Sequence, residues 1–152
     1  MKLWKATNII LMNFSLALIL LAGLSSKAVE SSQDVIAIKG YDTVAYFNAG
    51  KAIKGKEEYT FQWRGKIWYF SDKENKDSFA TNPERYAPQY DGYCAWAMTE
   101  ARKAETDPEV WKIVNGKLYL QCSKAAYQKW SKDIPGNIKK ADTNWLKFSA
   151  TN

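Results

Sequence analysis

One pattern occurs twice in this chain, which predicts a fold built from two like units. Gly65-Lys66-Ile67-Trp68-Tyr69-Phe70 aligns with Gly116-Lys117-Leu118-Tyr119-Leu120-Gln121 at an offset of 51, and the register continues through Lys73 against Lys124 and Phe79 against Trp130. Upstream the offset becomes 52, where Gly40-Tyr41-Asp42-Thr43-Val44-Ala45-Tyr46 faces Gly92-Tyr93-Cys94-Ala95-Trp96-Ala97-Met98. Lys51-Ala52 faces Lys103-Ala104 in the same register, and one inserted residue in the loop reconciles the two offsets.

Each copy predicts the same order of elements. A lead strand that starts at Gly-Tyr is expected within Val35–Phe47 and again over Gly92–Met98. A β-hairpin should follow. Tyr59, Phe61 and Trp63 alternate with polar Thr60 and Gln62, the period of a strand, before a turn at Arg64-Gly65. In the second copy Asn115-Gly116, between two apolar runs, is a strong type I′ signal. A short helix then closes each copy. Ser71-x-x-Glu74 reads as a capping box for a helix that ends at Asn82-Pro83, and Ser123 reads as the cap of its counterpart. Pro135-Gly136 should stop that second helix, with a last turn from Asp142 docking Trp145. The expected class is α+β: small antiparallel β-hairpins, each followed by a short helix, in two duplicated units at about 36–90 and 91–146 of one domain.

The N-terminus carries a different signal. Lys2 and Lys5 precede an apolar stretch from Ile9 to Leu24, and small residues follow at Ser26 and Ala28. This is the layout of a secretory signal peptide spanning 1–28, cleaved after Ala28. The competing reading is a retained anchor, but a span needs about 20 mainly apolar residues and this core is shorter and holds Asn13. Cleavage leaves residues 29–152, enough for one domain, in the periplasm or secreted, with no stable membrane span.

Composition excludes several function classes. The chain has no histidine, so Ser–His–Asp and Cys–His nucleophile systems and His-ligated zinc are ruled out. Loss of Lys2, Lys5 and Lys27 lowers the net charge from +6 to +3, spread without a basic run, so a nucleic-acid partner is not expected. No phosphate-binding glycine loop is present, and the sequence favours a non-catalytic role. Seven Trp and nine Tyr suit a β-rich core filled by large rings, or else a stacking surface for a flat ligand, carbohydrate or protein partner.

The run Gly40–Phe47, then Gly50-Lys51-Ala52 and Gly55, resembles the YHS domain family. So do Trp68-Tyr69-Phe70-Ser71, Asn82-Pro83-Glu84-Arg85-Tyr86-Ala87-Pro88-Gln89-Tyr90 and Gly92-Tyr93-Cys94-Ala95. Over residues 36–146 the chain is similar to the exported, single-domain bacterial branch of that family. The resemblance, which extends to TRASH-type domains, implies a small treble-clef-like module. Many members hold a metal through cysteines and accompany copper-handling proteins. In the first copy the family's cysteine positions fall on Ala45 and Ser71; in the second, Cys122 occupies the place of Ser71.

If the second copy folds like the first, Cys94 approaches Cys122. The pair would then be a disulfide in an oxidising compartment, a soft-ion site for Cu(I) completed by Met98, or two buried thiols. Tyr41, Asp42, Tyr90 and Tyr93 are the candidates for a small-ligand cleft between the units. Asp42 would be its charged anchor, or else would satisfy its own turn. The expected function is that of an exported binding module for a small ligand or a copper-type metal. The alternative is an interaction protein with an aromatic surface and a structural disulfide.

Overall fold

Two tight turns set the framework. Arg64 and Gly65 take φ of 49° and 68°, and Asn115 and Gly116 take 50° and 74°. Left-handed backbone at both central positions is the type I′ turn, whose twist matches that of the strands it joins. A computed structural model describes residues 35–150. In it these turns connect β2 (Lys56–Trp63) to β3 (Lys66–Phe70) and β4 (Asp107–Val114) to β5 (Lys117–Gln121). The registers coincide. Lys56 faces Phe70 and Thr60 faces Tyr69, just as Asp107 faces Gln121 and Trp111 faces Leu120, with the slip at the same place in each hairpin. The protein is α+β, as expected.

The lead strands are a correction. Only β1 (Val35–Ile36) is extended, and it lies parallel to β3, giving the order β1-β3-β2 beside a two-stranded β4-β5 sheet. The Gly-Tyr segments are instead tight left-handed turns leading into short helices, α1 (Ala45–Asn48) and, in the second copy, α4 (Ala95–Thr99). Ile38, Lys39 and Gly40 have φ of 38°, 53° and 76°; Tyr90, Asp91 and Gly92 have 57°, 56° and 86°. Ile and Tyr are unusual in that region, so residue type gave no sign of the turn.

The helices after the hairpins are α2 (Lys73–Thr81) and α5 (Lys124–Trp130); α3 (Pro83–Tyr86) follows α2. Ser123 caps α5 as expected, accepting the Ala126 N–H at 3.1 Å. The cap of α2 is Asp72, which accepts the Asn75 N–H at 2.8 Å, because the Ser71 hydroxyl is turned inward. Pro135-Gly136 does not end a helix but begins one. The last helix, α6 (Ile134–Ser149), takes Pro135 in its first turn, where a missing N–H costs nothing, and Asp133 caps it at the Gly136 N–H, 3.0 Å.

The first copy buries Val44, Trp68, Phe70 and Phe79 between its sheet and α2. The second buries Met98, Tyr119 and Trp130 beneath α6, where Ala141 packs and Asn144 donates to the Met98 carbonyl at 3.0 Å. A shared cluster joins the copies: Tyr46 on α1 packs against Leu118 and Leu120 and donates to the Pro108 carbonyl at 2.9 Å. That is why β5 is buried on both faces while β3 leaves one face half-covered. Among the described residues no helix is long and apolar enough to cross a membrane. The expected signal peptide, 1–28, lies outside the described residues.

Candidate functional site

Two features combine unusual chemistry with position: a buried junction in each copy, and an aromatic groove between the copies. In the first junction Asp42 is fully buried. Its Oδ1 accepts the Val44 and Ala45 N–H groups at 2.9 and 3.2 Å, which opens α1. Its Oδ2 accepts the Ser71 N–H at 2.8 Å, the Ser71 hydroxyl at 2.7 Å and the Asn75 amide at 2.7 Å. Five donors on one carboxylate tie the lead turn to the end of the hairpin and the start of α2.

Cys94 stands where Asp42 stands, and Cys122 where Ser71 stands. The Cys94 Sγ, fully buried, accepts the Cys122 N–H at 3.1 Å. The α4 amide has a different acceptor: Gln121 Oε1 takes the Trp96 N–H at 3.1 Å, with the Cys94 thiol 3.7 Å away. Burial first, then a hydrogen bond with the Cys122 thiol, pushes the Cys94 thiol up to about 11. The structure thus brings Cys94 and Cys122 together, unbridged, with Cys122 half-buried. Met98 is not with them; its side chain lies in the cluster of Tyr119 and Trp130.

The groove has a volume of about 600 Å³. Trp63 and Trp68 line one side, with ring centroids 5.8 Å apart, and Tyr93, Trp145 and Phe148 line the other. The Arg64 guanidinium lies 4.4 Å from the Trp63 ring centre and pairs with Glu84 at 2.9 Å. Asp91 pairs with Lys66 at 2.6 Å. Lys103 stands over Tyr93, Trp145 and Phe148, at 5.4, 5.9 and 5.1 Å from their centres, with no carboxylate in ion-pair range among the described residues. Arg64 and Asp91 are therefore balanced locally, and Lys103 leaves the rim net positive.

The family model of the YHS domain matches residues 44–90. The chain carries a YHS domain. The match runs from the start of α1 to the second left-handed turn, a shorter stretch than the 36–146 over which the sequence motifs extend. Comparison with curated proteins and with solved structures gave no match. The second copy lies beyond the matched residues, and its hairpin has the register of the first.

The cysteine-held metal of many YHS domains is a poor fit to these residues. Ala45 offers no donor, and the Ser71 hydroxyl is already committed to Asp42. In the second copy two sulfurs stand together, and the burial that raises the Cys94 thiol works against thiolate ligation. Met98 is turned away. Among the described residues no three His, Cys, Asp or Glu side chains converge.

The four residues expected around a ligand cleft do not converge either. Asp42 is enclosed by its five donors. Tyr90 is buried and donates to Asp142 Oδ1 at 2.9 Å, while Tyr41 donates to Glu109 Oε1 at 3.0 Å. Only Tyr93 faces the groove. Trp96 packs away from the groove, near Cys94 and Ala126. Sequence reasoning missed Arg64, Lys103 and Phe148. The α6 residues could have been found from Ile134, Ile138, Ala141, Trp145 and Phe148, which recur at helical spacing once Pro135 is read as a first-turn residue.

Proposed function

We propose that this protein is an exported, non-catalytic YHS binding module that takes a small, flat, anionic ligand in the groove between its two copies. The observation that carries this reading is the groove itself: about 600 Å³, walled by Trp63, Trp68, Tyr93, Trp145 and Phe148, with Lys103 as its unbalanced charge. A groove of that volume falls within the size range of small-molecule sites. Rings would cover the faces of a flat ligand, and Lys103 would meet its carboxylate. The leader-like N-terminus supports export. Nothing among the described side chains pairs a nucleophile with a base, which favours binding over catalysis.

Titration of 1-naphthoate against the uncharged 1-naphthalenemethanol, read by quenching of tryptophan fluorescence, tests the reading. Naphthoate should bind saturably and about tenfold more tightly, the worth of one charge-assisted contact of about 1.4 kcal/mol. Lys103→Met should erase that preference, and Trp145→Ala should abolish binding of both. Equal affinity for the two probes would overturn the anionic ligand. Saturation by cello-oligosaccharides alone would replace it with the carbohydrate-binding alternative.

A further inference from the structure

We infer that Cys94 and Cys122 close an intramolecular disulfide in the exported protein, a covalent counterpart of the Asp42–Ser71 junction in the first copy. Position carries the argument. The two sulfur-bearing residues replace, place for place, a carboxylate and a hydroxyl already in direct contact at 2.7 Å, beside hairpins that share one register. Cys94 Sγ is 3.1 Å from the backbone nitrogen of Cys122, so the two side chains start from the same junction and the sulfurs can join with little backbone movement.

Bridging also orphans no polar group. Gln121 Oε1 loses the long 3.7 Å contact with the Cys94 S–H but keeps the Trp96 N–H at 3.1 Å. The first copy has no such option, because Asp42 and Ser71 can only hydrogen-bond.

The chemistry needs an exchanging disulfide, either oxidised glutathione or a disulfide-bearing oxidoreductase. Cys122, half-buried, is reached first. Its thiolate attacks one sulfur of the oxidant and expels the other as a thiolate, leaving a mixed disulfide on Cys122 Sγ. Cys94 Sγ then loses its proton, attacks Cys122 Sγ and expels the second thiolate. Two protein thiols are oxidised, one oxidant disulfide is reduced to two thiols, and the two protons pass to the departing sulfurs.

The test equilibrates the full chain in buffers of graded oxidised-to-reduced glutathione ratio. Acid quenching, alkylation of free thiols, intact mass and the melting midpoint are then recorded. In the oxidised buffer both thiols should resist alkylation, with two hydrogens lost and no glutathione retained. The midpoint should rise by roughly 10 °C for a loop of 28 residues. Cys94→Ala should retain glutathione on Cys122 and show no such rise. A wild-type protein that keeps a stable glutathione adduct on Cys122, or leaves both thiols alkylatable in the oxidised buffer, overturns the inference. The groove is formed by other residues, so that outcome leaves the ligand reading intact.

Discussion

The two copies share a backbone but hold it closed in different ways. In the first, one carboxylate gathers five donors from the lead turn, the hairpin end and α2. In the second, that work is divided. Gln121 serves the α4 amide, Cys94 serves the Cys122 amide, and the Gln121 Nε2 is left without a partner among the described residues. A buried carboxylate surrounded by donors is strong but fails entirely when removed, because every donor is stranded at once. A sulfur junction is weak while reduced and gains its strength from oxidation. The second copy also has α6 laid over α4, whereas α1 rests on the other copy's hairpin, so the copy with the weaker junction has the additional covering helix.

The largest test of that contrast is truncation of each junction under reducing conditions. Asp42→Ala should cost about 4 kcal/mol, since five donors including three backbone N–H groups lose their acceptor in a buried site. Cys94→Ala should cost only about 1 kcal/mol, the loss of a small apolar group and one weak acceptor. Urea denaturation of both variants measures the gap. Equal losses would mean that the two junctions carry similar loads despite their different chemistry.

A second pair sharpens the contrast one step further along the loop. Gly55 N–H donates to the Gly40 carbonyl at 2.9 Å; at the matching place the Thr106 hydroxyl donates to the Gly92 carbonyl at 3.0 Å. A Cβ on Gly55 would meet the Tyr69 carbonyl carbon at 2.4 Å and the Phe70 nitrogen at 2.7 Å. Gly55→Ala should therefore cost about 3 kcal/mol by forcing β3 outward. Thr106→Val, which removes only the hydroxyl bond, should cost about 1 kcal/mol. The shift in urea midpoint again checks both.

The parts of this fold that were legible in the sequence are those with local signatures. Asn115-Gly116, Arg64-Gly65 and the alternation of Tyr59, Phe61 and Trp63 name the hairpins, and the repeat brings Cys94 to Cys122. The lead turns were not legible, because Ile38, Lys39, Tyr90 and Asp91 adopt left-handed backbone that their residue types do not announce. Asp42 appeared as either an anchor or a turn residue; it does satisfy its own turn, through the Val44 and Ala45 N–H groups, and Ser71 and Asn75 from distant segments close over its other oxygen. The groove depends on Lys103 and α6 meeting Trp63 across the copies, a long-range arrangement that no single segment encodes.

The smallest effect expected lies in the alkaline pH dependence of stability. Burial raises the Cys94 thiol from 9.0 to about 11 and the Tyr119 hydroxyl from 10.0 to about 12; it raises Tyr90 further, with help from its bond to Asp142. Burial raises the Tyr46 hydroxyl of the first copy as well, so Cys94, with the lowest unfolded pKa of the four, is the group that starts the decline. In each the folded state favours the neutral form, so the stability they contribute is complete below the unfolded pKa. It is lost as pH rises, through 9 to 11 for Cys94 and 10 to 12 for Tyr119. The urea midpoint of the reduced protein should therefore hold from pH 7 to about 8.5, then begin to fall, by under about 1 kcal/mol at pH 9.5. Cys94→Ala should delay that first decline until the tyrosines take over near pH 10. Oxidation to the disulfide should delay it in the same way, because a bridged sulfur has no proton to lose. A decline that begins at the same pH in all three forms would move the alkaline-sensitive group out of the sulfur junction and onto the buried tyrosines, Tyr46, Tyr90 and Tyr119.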